Sequence, residues 1–274
     1  MAVRSALINV MVKAAEKAAR GLVRDFGEVE QLQVSRKGPA DFVSQADLRA
    51  ERTIRAELER ARPGYGFLME ESAVEPGDGQ HRWIVDPLDG TTNFLHGLPH
   101  FAISIALERD REMVAGIIYD PIKDELFWGE KGMGAYLNQE HRLRVSGRRD
   151  LSQALIATGM PFLGHGEMEP YMVMLANVMP QVAGIRRFGS AALDLAYVAA
   201  GRYDGFFETH LSPWDTAAGM LLVREAGGYV SELDGGHDML ESGSVLAAND
   251  HLHLPLGTLL RGGPQKPRAV ARSG

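Results

Sequence analysis

Ala6, Leu7, Val10, Met11, Ala14, Ala18 and Leu22 return every three or four positions, laying an apolar stripe along a helix that should stop near Gly27. Ala50, Ile54, Leu58 and Ala61 repeat the pattern in a second helix, with Ser44 and Asp47 placed as a capping box and Pro63-Gly64 as a stop. Between them, Ser35-Arg36-Lys37-Gly38-Pro39 reads as a polar loop. Short apolar runs predict strands over 66–69 and 83–86, separated by a loop around Pro76-Gly77-Asp78-Gly79. Residues 101–107, 114–119 and 125–128 are rich in β-formers, with turn signals between them, and predict an antiparallel meander.

Beyond Val145 the period changes. Strands are expected over 155–158, 185–188 and 205–208, helices over 170–180, 191–200 and 214–226, and Tyr229 and 245–247 seed final strands. The alternation makes the second half α/β, against an α+β first half. A single domain over 1–261 accommodates both halves, 1–145 and 146–261. The stretch 262–274, with two prolines and only basic charges, predicts a flexible tail.

At 274 residues and 45% hydrophobic, the chain can bury a substantial core. A net charge of -7 disfavours broad binding to nucleic acid, so a small anionic substrate would need a local positive centre. The absence of cysteine removes disulfides, zinc–thiolate sites and thiol catalysis together, and fits a reducing compartment. Lys13, Glu16, Lys17 and Arg20 punctuate the first helix, unlike a signal peptide, and no apolar run nears the roughly 20 residues that span a bilayer. The expected location is the cytoplasm, away from membranes.

Candidate chemistry centres on Asp86-Pro87-Leu88-Asp89-Gly90-Thr91-Thr92, entered from the apolar run Trp83-Ile84-Val85. Paired carboxylates suit a hard divalent cation such as Mg²⁺, which shares its coordination with phosphate. Gly90, Thr91 and Thr92 can offer N–H groups at a turn or helix N-terminus. Glu70-Glu71 follows a neighbouring strand, Trp214-Asp215 starts a helix, Asp41 and Asp47 flank the second helix, and Lys37 lies in the loop before it. Singly, these have ordinary explanations as solvated pairs, caps or helix-end charges. If Glu70, Asp86, Asp89 and Asp215 converge, carboxylates ~5 Å apart repel by about 3 kcal/mol per pair, a cost that bound cations relieve.

Other phosphatase schemes fit poorly. An Asp nucleophile with a second Asp two residues on does not match Asp86 and Asp89, and there is neither a Cys nucleophile nor a Gly-x-x-x-x-Gly-Lys-Ser/Thr loop. His96, His100, His251 and His253 lack a His-Glu-x-x-His arrangement and are assigned local polar roles.

Glu70-Glu71-Ser72, the run Trp83 through Phe94, and Trp214-Asp215-Thr216-Ala217-Ala218-Gly219 together closely resemble the three signatures of the inositol monophosphatase family. Gly189 through Gly201 is similar to its bacterial SuhB-type members. The resemblance implies a layered α-β-α-β-α sandwich, commonly a homodimer, and a lithium-sensitive, Mg²⁺-dependent phosphomonoesterase. Glu70, Asp86 and the Leu88 carbonyl would hold a first Mg²⁺, Asp86, Asp89 and Asp215 a second, and Glu70 would help hold a weaker third. Thr91 paired with Asp47 would orient and help deprotonate the attacking water, and the N–H groups of Gly90 and Thr91 would hold phosphate. Asp89, Glu208, Asp215 and the backbone at Ala191 would line the substrate, with Lys37 on a mobile loop. The implied substrate is a small phosphorylated polyol, myo-inositol 1-phosphate first. Fructose 1,6-bisphosphate, 3′-phosphoadenosine 5′-phosphate, or a partner role in a transcription or RNA-processing complex are the alternatives. Met69 and His210-Leu211-Ser212-Pro213 depart from the family pattern; the latter lies between Glu208 and Asp215 and bears on polyol preference.

Overall fold

The computed structural model describes residues 3–28, 34–38, 41–139 and 141–263. Helix α1 (Ala6–Phe26) is capped by Ser5, whose Oγ accepts the Ile8 N–H at 3.2 Å, and Gly27 ends it as the periodicity predicts. The segment expected to be a polar loop instead forms strand β1 (Val34–Gly38), antiparallel to β2 (Asp41–Ser44). Its polar composition carries no period-two signal, so backbone pairing rather than hydrophobic patterning specifies this hairpin. Helix α2 (Gln45–Ala61) follows at once and buries Ala46, Ala50, Ile54 and Leu58.

Strands β3 (Gly66–Met69) and β4 (His81–Asp89) pair in parallel. After the short helix α3 (Thr91–Leu95), the chain continues as β5 (Ala102–Arg109), β6 (Glu112–Asp120), β7 (Glu125–Glu130), β8 (Gly134–Leu137) and β9 (His141–Arg142), each antiparallel to its predecessor. The predicted meander is present, lengthened by the two short strands β8 and β9. Together β3 to β9 form one seven-stranded sheet in sequence order.

The second sheet holds β10 (Leu155–Thr158), β11 (Gly184–Arg186), β12 (Gly205–Glu208), β13 (Tyr229–Ser231) and β14 (Val245–Ala248), in the spatial order β11-β10-β12-β14-β13. Helices α4 (Met168–Val178), α5 (Ala191–Ala199), α6 (Pro213–Glu225), α7 (Met239–Ser242) and α8 (His253–Leu260) complete the described chain. The strand expected over 185–188 is β11, which stops at Arg186, so Phe188 lies outside it. Of the expected tail, everything beyond Gly263 lies outside the described residues.

Period-two alternation sorts side chains into layers. Trp83 and Val85 of β4 join the core with α1 and α2, whereas Ile84 joins the core around α5 and α6. Val245 and Ala247 of β14 face that same central layer, while Leu246 and Ala248 pack with α4 and α8. The stack is therefore α1/α2, seven-stranded sheet, α5/α6, five-stranded sheet, α4/α8, which is the sandwich the resemblance implied. Gly219 sets how closely the two central helices approach, because a Cβ there would lie 2.5 Å from Leu195 Cβ. Burying both helices between the sheets brings their N-termini to the end of β4, where the acidic motif begins.

Candidate active site

In a regular strand, residues three apart point to opposite faces, so Asp86 and Asp89 should diverge. A bulge prevents this. Asp86 pairs with Ser104 and Asp89 with Ala102, so three steps on β4 oppose two on β5 and both carboxylates emerge on one side. Ser104, opposite Asp86, donates its hydroxyl to the Trp214 carbonyl at 3.2 Å and so ties in the first turn of α6. That turn carries Asp215, which accepts the Ser212 N–H at 2.7 Å in a capping box. The result is a cluster in which Asp86, Asp89 and Asp215 each offer an oxygen within 4.8 Å of the others.

Asp89 sits over the N-terminus of α5. It accepts from Ser190 Oγ and, at 2.8 Å, from the Ala192 N–H; the Ala191 N–H also turns to it. Burial nevertheless raises its pKa to about 6, against the pull of these donors. Burial also pushes Asp86 well up, reinforced by the negative charges of Glu70, Asp89 and Asp215, while the Leu88 N–H at 2.8 Å opposes the shift. Asp215 is raised for the same reasons, burial first and Asp89 next. Glu70 follows β3, its N–H bonded to the Val85 carbonyl at 3.3 Å, so the parallel β3–β4 pair delivers it beside Asp86. An all-oxygen donor set whose members mutually disfavour ionisation matches a hard divalent cation.

Gly90 caps α3 with φ +96°, and a Cβ there would press on the carbonyls of His100 at 3.1 Å and Gly189 at 3.3 Å, so the turn requires glycine. Asn93 then clamps the turn by donating to His100 O at 2.8 Å and Phe188 O at 2.7 Å. Thr91 Oγ1 lies 3.0 Å from Asp47 Oδ1 and 3.1 Å from the Leu88 carbonyl. Asp47 is fully buried on α2, so the expected Thr91–Asp47 pair is present as a hydrogen bond between α3 and α2.

Glu70, Asp215 and Glu208 line a cavity of about 350 Å³ together with Met160, Tyr171 and Trp214. Glu208, at the end of β12, accepts from the Gly159 N–H, and burial followed by the charge of Asp89 raises its pKa to about 8. A larger groove of about 930 Å³ contains none of the three clustered aspartates; its Arg82–Glu108 and Lys131–Glu112 pairs already satisfy one another. The chemistry belongs to the smaller cavity.

Of the expected site residues, Asp47, Glu70, Asp86, Leu88, Asp89, Gly90, Thr91, Ala191, Glu208 and Asp215 all gather here. Lys37 falls on β1, and its side chain lies outside the described residues. Sequence reading missed Ser190, Gly159 and Glu51. Ser190 shows only as a cap before an Ala-rich helix, and Gly159 carries no local signal, although a Cβ at that position would lie 1.7 Å from Glu208 Oε1. Gly159→Ala is accordingly expected to push the Glu208 carboxylate aside and raise KM several-fold with little change in kcat, which steady-state kinetics would read directly. His100 is half-buried beside Phe188, and burial lowers its pKa to about 4.

Most of the chain carries the likeness. A 66% identical relative over 248 residues, covering 90% of this chain and 93% of the relative, is an inositol-1-monophosphatase from Mesorhizobium japonicum. The Escherichia coli K12 Nus factor SuhB is 45% identical over 244 residues, covering 89% of this chain and 91% of that protein. The crystal structure of extragenic suppressor protein suhB from Bartonella henselae superposes with a TM-score of 0.92 at 59% identity, covering 95% of this chain and 100% of that one. With the profile of the inositol monophosphatase family matching residues 3–261, and the acidic cluster and Thr91–Asp47 pair inside that span, the chain belongs to this family of phosphatases.

Proposed function

We propose that this enzyme hydrolyses myo-inositol 1-phosphate to inositol and phosphate by direct attack of water, with no phosphoenzyme. The observation that carries the proposal is the convergence of Asp86, Asp89 and Asp215 within 4.8 Å, beside a Thr91 hydroxyl hydrogen-bonded to Asp47. Asp86, Asp89, Asp215, Glu70 and the Leu88 carbonyl would hold two or three Mg²⁺ ions. Bound there, Mg²⁺ supplies a lowered water pKa and screening of phosphate charge. Thr91 would accept a proton from the attacking water as its own passes toward Asp47, the Gly90 and Thr91 N–H groups would fix the phosphate, and as the P–O bond to the polyol breaks a second water would protonate the leaving alkoxide. Asp89 and Glu208 address the polyol hydroxyls, with the Ala191 backbone beside them. His210, Leu211 and Ser212 contribute to the cavity wall, where discrimination among esters would be set. Lys37 would act from the β1–β2 hairpin.

A Mg²⁺-dependent assay over a panel of phosphate esters tests this. Inositol 1-phosphate should be preferred and Li⁺ should inhibit; preferential turnover of fructose 1,6-bisphosphate or 3′-phosphoadenosine 5′-phosphate would overturn the substrate assignment.

Raised carboxyl pKa values link stability to pH. Asp89 at about 6 and Glu208 at about 8 keep protons that the unfolded chain loses near the ordinary values of 3.8 and 4.5. The folded state thus binds more protons across this window, and these groups make the metal-free protein less stable as pH rises from about 4 to about 8. Mg²⁺ competes with the proton on Asp89. At a hundredfold excess over Kd it should add about 2.7 kcal/mol, roughly 5–10 °C in Tm. Calorimetry in EDTA and in Mg²⁺ should show a larger shift at pH 8 than at pH 5.5; a pH-independent shift would count against carboxylate ligation.

We place the enzyme in the cytoplasm as a homodimer. Among the described residues no helix is long and apolar enough to cross a membrane. Helix α4 reads as apolar nearly all round, yet Met168, Met172 and Val173 are exposed, as are Phe162 and Leu163 in the segment before it. Met160, Met179 and Phe188 are exposed as well, and exposed apolar side chains of this kind mark an interaction surface. A second copy is the occupant we assign to it. The relatives called Nus factors support an additional role in a transcription complex.

A further inference from the structure

We propose that Glu51 is a positioning residue that holds the Glu70 segment in register with the rest of the acidic cluster, an inference that rests on Glu70 acting as a metal ligand. Glu51 lies on α2 one helical turn after Asp47, so the two carboxylates project from the same face. Asp47 meets Thr91, and Glu51 meets the chain just past Glu70. Its Oε2 accepts the Glu71 N–H at 2.9 Å, and its Oε1 accepts the Ser72 hydroxyl.

Burial separates this arrangement from an ordinary surface acid. Glu51 is 3% exposed, although Ser72, which it holds, is exposed. Among the described residues its hydrogen-bond partners are a main-chain N–H and a hydroxyl, neither of them a cation. Removing a carboxylate from water is costly unless its oxygens are satisfied, and here both are used on one three-residue segment. The Glu70 N–H is bonded to Val85 O on the other side, so the backbone of Glu70 is fixed between β4 and α2. Ala46, Ala50, Ile54 and Leu58 in turn lock α2 into the core. One rigid helix therefore sets the spacing between the Thr91 hydroxyl and the Glu70 carboxylate. Losing Glu51 would release the chain on the Glu71 and Ser72 side of Glu70 from α2.

The test is Mn²⁺ binding to the substrate-free full chain, followed by electron paramagnetic resonance, together with hydrogen exchange across 70–72. Glu51→Ala should weaken Mn²⁺ binding tenfold or more, the range expected when an outer-shell partner is lost, and should speed exchange of the Glu71 amide. Glu51→Gln should restore both, since its carbonyl can still accept the Glu71 N–H and the Ser72 hydroxyl can rotate to accept. Ser72→Ala, at an exposed position, supplies a variant that keeps the fold and should weaken Mn²⁺ binding about twofold. In a Glu70→Gln background, Glu51→Ala should cost little more. Unchanged Mn²⁺ binding in Glu51→Ala, alongside weakened binding in Glu70→Gln, overturns the role of Glu51 while leaving the ligand assignment standing. Full additivity of the two substitutions overturns it as well. Unchanged binding in Glu70→Gln removes the ligand assignment and the positioning role with it.

Discussion

Asp86→Asn is expected to lower turnover about a thousandfold and, at the same time, to raise the Tm of the metal-free protein. Both effects have one origin. Asp86 is buried, and the charges it meets are the carboxylates of Glu70, Asp89 and Asp215. At 4.8 Å and an effective dielectric near 20, each pair of charges repels by ~3 kcal/mol, which burial pushes the group to avoid by retaining a proton. Asparagine is neutral, nearly the same shape, and its carbonyl can keep the bond from the Leu88 N–H that Asp86 now accepts at 2.8 Å. Without a cation the substituted cluster bears neither the repulsion nor the cost of keeping a proton the unfolded chain would release, and a gain of about 1–3 kcal/mol is expected. With Mg²⁺ present the relation reverses, because a carboxylate that would hold the metal has been lost. Calorimetry in EDTA and in excess Mg²⁺, alongside steady-state kinetics, separates the two effects. A lower Tm in EDTA would show that Asp86 serves packing, and retained turnover would remove it from the ligand set.

Thr91→Ala should reduce kcat a hundredfold or more while KM stays within about twofold. The hydroxyl lies 3.0 Å from Asp47 Oδ1, at the first residue of α3, and the substitution takes away the proposed proton-transfer group without altering the Gly90 turn or the acidic cluster. Thr91→Ser keeps the hydroxyl and should recover most of the rate. An equal loss in Thr91→Ser would point to the methyl group and to packing; an unchanged kcat in Thr91→Ala would exclude the residue from water activation.

The motif from Asp86 to Thr92 was legible because acids, a proline, a glycine and hydroxyls in a row leave few other uses for an apolar strand end. The partners Asp47, Glu70 and Asp215 were legible mainly through resemblance, since each alone passes for a cap or a solvated acid. Glu51 was not legible: its spacing from Asp47 marks a shared helix face, but nothing local says that Glu71 and Ser72 will arrive there. Helix α8 was missed because Pro255 and Gly257 argue against a helix, and burial of Leu256, Leu259 and Leu260 outweighs them. The β1–β2 hairpin was missed for the opposite reason, having pairing without a hydrophobic signal.

By itself the sequence determined the periodicities that make α1, α2 and the meander, and the chemical character of the site, because side-chain spacing and donor type are local properties. Only the tertiary structure decided that the β4 bulge turns Asp86 and Asp89 to the same side, that the first turn of α6 reaches them through Ser104 and Trp214, and that one helix holds both Thr91 and the Glu70 segment. Those contacts join residues up to about a hundred positions apart, and they exist because burying two central helices between two sheets leaves their N-termini at the end of one strand.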